Sequence, residues 1–199
     1  MSQLGSAMTN FALTLWLYEK TGSALQTALL AICSYTPYVL MSIFTGALSD
    51  RWDKKKVMLI SDACAAGTTV LVLLLVQSNL LQPFHLYILS AVNGLMNTIQ
   101  RPASDVAMTL IVPKEAYQMT SGMRSFSNSL VTILHPVLAT TVFAFAGIFA
   151  VILIDLGTFL VAFCALLFRI KLPEISHPDK EQRKKESLLA ASKEGLRYL

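Results

Sequence analysis

The sequence predicts an all-α polytopic membrane protein with six transmembrane helices, and three observations predict it. Apolar residues make up 54% of the 199 positions and charged residues only 14%, whereas soluble domains average about 25% charged. The charge is gathered into short clusters between long apolar runs. Six such runs follow one another, each near the 20 or so residues that span about 30 Å of hydrocarbon at about 1.5 Å per residue.

Taken in order, the first span covers about 2–18 and closes on the turn Glu19–Gly22. The chain begins inside this helix, so residues upstream are expected. The second span covers about 25–48, with Pro37 as an expected kink. The charged stretch Gly46–Lys56, reading GALSDRWDKKK, is an expected tight turn. The third span covers about 57–76 and ends in a turn at Gln77–Pro83 that carries no Lys or Arg. The fourth, about 84–111, is long and is interrupted in the sequence by Arg101–Pro102. Pro113, Lys114 and Glu115 turn the chain into the fifth span, about 118–145. Gly147 marks a very short turn before the sixth, which runs to Phe168. Two domains are expected: a six-helix bundle over 1–170, and a basic linker over 171–199 where Pro173, Pro178 and the charged run Lys180–Glu186 break the apolar pattern.

The basic residues orient the bundle. Arg51 and Lys54–Lys56 lie between spans two and three, Lys114 and Arg124 flank the next turn on that side, and eight more follow span six. Lys20 alone sits opposite, and Arg101 lies within a span. Lys and Arg collect on the cytoplasmic side, so the loop between spans two and three and the C-terminal tail are expected in the cytoplasm of a cell (inner) membrane. The same placement accounts for the net charge of +4 without a nucleic-acid surface. Cys33, Cys64 and Cys164 stand in separate runs with no CxxC, so neither a redox pair nor a metal site is expected. The first run lacks the basic n-region of a removable signal peptide. No nucleophile–base pair, metal cluster or phosphate-binding glycine loop points to an enzyme, and no cofactor is implied.

Polar residues recur along three of the helices. Gln3, Asn10 and Thr14 share a face of the first; Asn93, Asn97, Arg101 and Asp105 recur every four residues in the fourth; Ser121, Ser125, Asn128, Thr132 and His135 follow in the fifth. Polar stripes face lipid at a cost, so these helices are expected to line an interior. The alternative is hydrogen bonding between helices in a closed bundle; the length of the stripes and their charge favour a cavity. Spans three and six, almost uniformly apolar, are expected at the lipid edge. Asp62 follows VMLIS about two turns from one end of span three, and Asp155 follows AVILI about two turns from the opposite end of span six. Those depths match if the chain is two three-helix repeats of inverted topology.

The turn GALSDRWDKKK resembles the loop between helices two and three of the major facilitator superfamily, approximately G-x-L-[A/S]-D-R-x-G-[R/K]-[R/K]. Gly46, Leu48, Asp50, Arg51, Lys54 and Lys55 match, and Asp53 replaces the usual Gly. The stretches LGSAMTNFALTLWLYEKTGSA and PASDVAMTLIVPKEAYQMTSGMRS are similar to the macrolide- and enterobactin-exporter branch. The glycine-rich run common in helix five of such exporters is replaced by LHPVLAT, in which only Pro136 remains.

The resemblance implies the N-terminal half of a twelve-helix exporter that moves small amphiphilic compounds (drugs, macrolides or siderophores) in exchange for protons by alternating access. It implies a gate in which Asp50 caps a helix of the other half and Lys54 pairs with Asp105. Its implied partners are the lipid bilayer, a small-molecule substrate, protons, and a C-terminal six-helix half or a second copy. Candidate cavity residues are Asn10, Thr14, Asn93, Asn97, Arg101, Asn128 and Thr132. His135, Asp62 and Asp155 are each a proton carrier or a packing residue, with packing favoured. The competing expectations are a non-transporting six-helix fragment or scaffold, and a half-transporter active as a dimer.

Overall fold

The structure, a computed structural model, describes residues 2–51 and 54–168, and among these every regular element is helical. Helices α1 (Ser2–Thr21), α2 (Ala24–Arg51), α3 (Lys54–Gln77) and α4 (Pro83–Ile111) are followed by a 3-10 turn, Lys114–Ala116. A final helical stretch, Tyr117–Phe168, contains one residue that no helix accommodates: Gly147, with φ 72° and ψ 178°. That backbone conformation is open essentially to glycine alone. Residues 117–146 are α5 and residues 148–168 are α6.

Contacts along α1 fix what Gly147 does. Gln3 bonds Asn128, Phe11 meets His135 edge-on, and Met8 and Ala12 share a cluster with Ala139. Numbers rise together, so α1 and α5 are parallel. Against α6 they run oppositely: Leu13 and Leu17 cluster with Ile148 and Ile152, Ser6 bonds Asp155, and position 5 abuts Thr158. In an unbroken helix Asn128 and Asp155 would stand about 40 Å apart, yet Gln3 and Ser6, one turn apart, reach both. The chain therefore reverses at Gly147.

The same reasoning orders the rest. Tyr87 bonds the Gln26 carbonyl and Gly94 packs on Ser34, so α2 and α4 are parallel. Thr68 bonds Asn93 and Asp62 accepts from Gln100, so α3 and α4 are antiparallel. Taken with the turns that link successive helices, the six directions alternate. Helix α2 continues through Pro37, and α4 continues through Pro102 without the interruption its sequence implied. The charged stretch is also more helical than expected. Positions 46–51 are the end of α2, α3 starts at Lys54, and Gly46–Arg51 is helical backbone.

Among the described residues three helical stretches are long and apolar enough to cross a membrane: Ala24–Met41, Lys55–Gln77 and Lys114–Ala165. The last, 52 residues long, holds both α5 and α6. The two helices left out, α1 and α4, carry polar stripes, and those stripes lower their hydropathy. Helix by helix, the spacing repeats as well. Asp62 and Asp155 are 93 positions apart. Moving Ala24–Arg51 and Lys54–Gln77 by that interval gives 117–144 and 147–170, nearly superimposed on α5 and α6.

The apolar core lies at one end of the bundle. Leu13 and Leu17 of α1, Leu30 of α2, Val72 of α3, Leu86 of α4 and Ile148 and Ile152 of α6 interlock there, with Phe143 of α5 against them. Gly94 sets the α2–α4 approach, because a Cβ there would overlap the Ser34 carbonyl oxygen. Gly94→Ala should therefore destabilise the bundle by about 1–3 kcal/mol, read as a lowered unfolding temperature in detergent. Gly67→Ala, with open space around its Cβ position, should change stability by no more than about 0.5 kcal/mol.

Candidate functional site

Opposite the apolar core, the end of the bundle that carries Gln3 is polar. The stripe residues divide there into two kinds. Asn93 is half-buried and accepts from the Thr68 hydroxyl at 3.0 Å, so it joins α3 to α4. Three others satisfy themselves locally. Thr14 donates to the Asn10 carbonyl at 2.9 Å, Asn97 to the Asn93 carbonyl at 3.0 Å and Thr132 to the Asn128 carbonyl at 2.9 Å. A hydroxyl or amide bonded to its own preceding turn needs no partner helix. Asn10, Asn97, Arg101, Asn128 and Thr132 are exposed, and Thr14 is half-buried.

Between the ends of α4 and α5 lies a cavity of about 500 Å³, lined by Asp105, Met108, Tyr117, Ser121, Arg124, Ser125 and Asn128. Arg124 forms an ion pair with Asp105 across it. The i, i+4 spacing of Ser121, Ser125 and the following Asn128 turns these side chains toward α4. Gln3 donates to Asn128 at 3.2 Å, bringing α1 to the same wall. A second cavity, about 490 Å³, lies near the Gly147 reversal. Its walls are largely apolar, with Trp16, Phe143 and Ile148 on them and Glu19 at one side.

His135 is half-buried between α5 and α1. Its Nδ1 is 2.9 Å from the Val131 carbonyl and its ring meets Phe11 edge-on with centroids 5.8 Å apart. A carbonyl only accepts, so Nδ1 carries hydrogen in this contact and Nε2 is left as the basic nitrogen. Asp62, half-buried, accepts from the Gln100 amide. Asp155 is 4% exposed and accepts from Ser6 at 3.0 Å, with the hydroxyls of Thr9 and Thr69 facing the same carboxyl group.

For the charged loop, Gly46, Leu48, Asp50, Arg51 and Lys54 are described by their backbone alone, while Trp52 and Asp53 lie outside the described residues. Lys55 is half-buried and Lys56 exposed. The expected Lys54–Asp105 pair thus involves a side chain outside the description. The partner that Asp105 does show, Arg124, was counted in the sequence only as a topological charge. Ser6, Thr9 and Thr69 around Asp155, and Gln100 beside Asp62, were also missed. The signal for Arg124 was its place inside the polar stripe of α5, between Ser121 and Asn128. The hydroxyl groups around Asp155 come from two helices, α1 and α3, far from Asp155 in the chain.

The Arg124 and Asp105 side chains are 40% and 59% exposed, so water screens them. A double-mutant cycle with Arg124→Ala and Asp105→Ala should give a coupling of about 0.2–1 kcal/mol in denaturant unfolding. A value several times larger would mean that a dehydrated partner surface covers the pair.

The sequence profile of the Major Facilitator Superfamily matches residues 1–199. Among curated proteins, the chain is similar to Macrolide efflux protein A of Streptococcus pyogenes, at 26% identity over 202 residues, covering 100% of this chain and 48% of the relative. It is similar to the uncharacterized MFS-type transporter YfiS of Bacillus subtilis, at 28% identity over 202 residues, covering 100% of this chain and 46% of the relative. Macrolide efflux protein A of Enterococcus faecalis is 25% identical over 181 residues, covering 89% of this chain and 54% of the relative. The chain spans about half the length of these relatives.

Proposed function

Because the chain belongs to the Major Facilitator Superfamily, a family of transporters, we propose that it forms the N-terminal six-helix half of an exporter. That exporter moves amphiphilic compounds, macrolides among them, outward through a cell membrane in exchange for protons. The observation that carries this reading is the family match over the full chain, with macrolide efflux proteins among the relatives. Alternating helix directions and the polar face on α1, α4 and α5 support it.

In this reading residues 1–170 are one unit built of two inverted three-helix repeats, and 171–199 is the linker that leads toward a second half. The 93-residue interval supports the repeats, as do their contacts. Exchanging helices 1–3 with 4–6 turns the α1–α5 pair into the α4–α2 pair, and both are extensively packed. It also turns the α6–α1 crossing at Asp155 and Ser6 into the α3–α4 crossing at Asp62 and Gln100. Two halves then rock about a midplane site, and ligand binding shifts the balance between inward- and outward-open states.

Asn10, Thr14, Asn97, Arg101, Asn128 and Thr132 form this half's wall of the substrate path. They offer amide, hydroxyl and guanidinium groups on an otherwise apolar surface, which suits a large amphiphile with few polar groups. Asn93 supports the wall from behind through Thr68. The 2–3 loop is cytoplasmic and acts as the gate latch: Gly46 and Leu48 allow close packing, and Asp50 caps a helix of the opposite half. Arg51, Lys54 and Lys55 hold the loop at the membrane surface. Asp105 is the acceptor at the end of α4, and Lys54 competes with Arg124 for it as the gate changes state. His135, with Nε2 available, is one candidate for the proton relay; Asp62 and Asp155 are the others.

The test is macrolide accumulation in cells that express the complete coding region containing this chain. Accumulation should fall on expression and recover when a protonophore collapses the proton gradient. Asp50→Asn should slow efflux at least about tenfold, equivalent to about 1.4 kcal/mol, with the protein still in the membrane. Efflux by residues 1–199 alone would favour a dimeric half-transporter. Unchanged accumulation of every amphiphile tested, with the protein present, would refute the reading.

A further inference from the structure

The cavity of about 490 Å³ beside the Gly147 reversal has apolar walls and a single carboxylate, Glu19, in its lining. Helical spacing builds both walls. On α1, Leu15 and Glu19 are one turn apart and Trp16 stands three residues before Glu19, so the three share a face. On α5, Thr140 and Phe143 recur at the same kind of interval and lead to Gly147. Glycine contributes no side chain there, and even a Cβ would meet nothing within 4 Å. Space therefore remains where α5 turns into α6.

Glu19 holds the only charge in this lining. It is exposed, and no Lys, Arg or His pairs with it among the described residues. Lys20 follows it in sequence but does not line the cavity, and adjacent side chains on a helix do not face each other. The Thr140 hydroxyl donates to the Pro136 carbonyl at 2.7 Å, which satisfies it within its own helix. Trp16 and Phe143 are half-buried and packed against the apolar core, and aromatic faces attract cations. A carboxylate only accepts hydrogen bonds. Beside apolar and aromatic walls, it is complementary to a ligand with an apolar body and one positive charge. A neutral apolar ligand would strip water from the carboxylate without a return, and an anion would be repelled.

We propose that this cavity binds monovalent lipophilic cations, organic ammonium or phosphonium ions. Glu19 is the counter-charge, and Trp16 and Phe143 are the aromatic surface. The site lies at the opposite end of the bundle from the cavity of Asp105 and Arg124. Binding is a property of the purified chain and needs no transport, so its failure would leave the exporter reading as it stands.

The test uses the full chain in a nonionic detergent. Equilibrium dialysis with radiolabelled tetraphenylphosphonium should find one saturable ion per chain. The chain has two tryptophans, so Trp52→Phe leaves Trp16 as the reporter, and its emission should change as the ion saturates. Tetraphenylborate has the same shape and the opposite charge; titrated separately, it should bind at least about tenfold more weakly. Glu19→Gln should weaken tetraphenylphosphonium binding about fivefold, and Glu19→Lys should reverse the preference between the two ions. Trp16→Leu should weaken binding about threefold or more. Glu19 is exposed, so its variants should fold as the parent does. Lys20→Gln, which keeps the carboxylate, should bind at least as tightly as the parent. Affinity for tetraphenylphosphonium unchanged in Glu19→Gln and Glu19→Lys would overturn the proposal. So would saturation with no change in Trp16 emission, or equal binding of tetraphenylborate, which would make the cavity a general apolar surface.

Discussion

Asp155 of α6 is buried and accepts a hydrogen bond from Ser6 of α1, and the packing of α1 against α6 gives that carboxylate its partners. A carboxylate at the centre of a membrane helix costs about 2.5–3.5 kcal/mol on insertion scales, so it must find partners. Only an antiparallel return at Gly147 brings Asp155 beside the residues of α1 that can serve. The same return places α5 parallel to α1, where Asn128 meets Gln3 and His135 meets Phe11. Helix α1 thus holds α5 and α6 together, as α4 holds α2 and α3.

Apolar packing and polar function are separated along the bundle axis. Near the Gly147 end, Leu17, Leu86 and Ile152 are almost wholly enclosed, and all six helices contribute to the contact. Toward the other end α4 and α5 flank the cavity lined by Asp105 and Arg124. The large apolar residues left exposed on α2 and α5, among them Ile32, Tyr35, Val39, Met119, Phe126 and Ile133, give the bundle broad faces for lipid or for another helical unit.

The helices were legible in the sequence because hydrophobic run length answers directly to bilayer thickness. Their expected ends lie within a few residues of those found, and Gly147 stood out as a break. The charged loop was legible as chemistry but misjudged as shape: Gly46–Arg51 reads as a turn because charge and glycine cluster there, yet it is helix, stabilised by continuing α2. Pro102 misled in the same way, since the proline does not end α4. Side-chain partners were harder to foresee. The pairing of Arg124 with Asp105, and the hydroxyls about Asp155, join residues distant in sequence, and nothing local in either run specifies the other. The self-satisfied threonines of the polar stripes could not be distinguished from a true interhelical bond such as Thr68–Asn93 until the helices were placed.

The reversal at Gly147 is the central claim, because it alone converts one 52-residue helical stretch into two membrane crossings. It is tested most directly by a spin-label distance between Phe126 and Val161, both exposed, in the full chain with Cys33, Cys64 and Cys164 replaced. Folded back, the two positions are offset by about 10 Å along the axis, and neighbouring helices lie about 8–10 Å apart. The account therefore predicts a distance below about 30 Å. A distance near 50 Å, as a continuous helix requires at about 1.5 Å per residue, would contradict it.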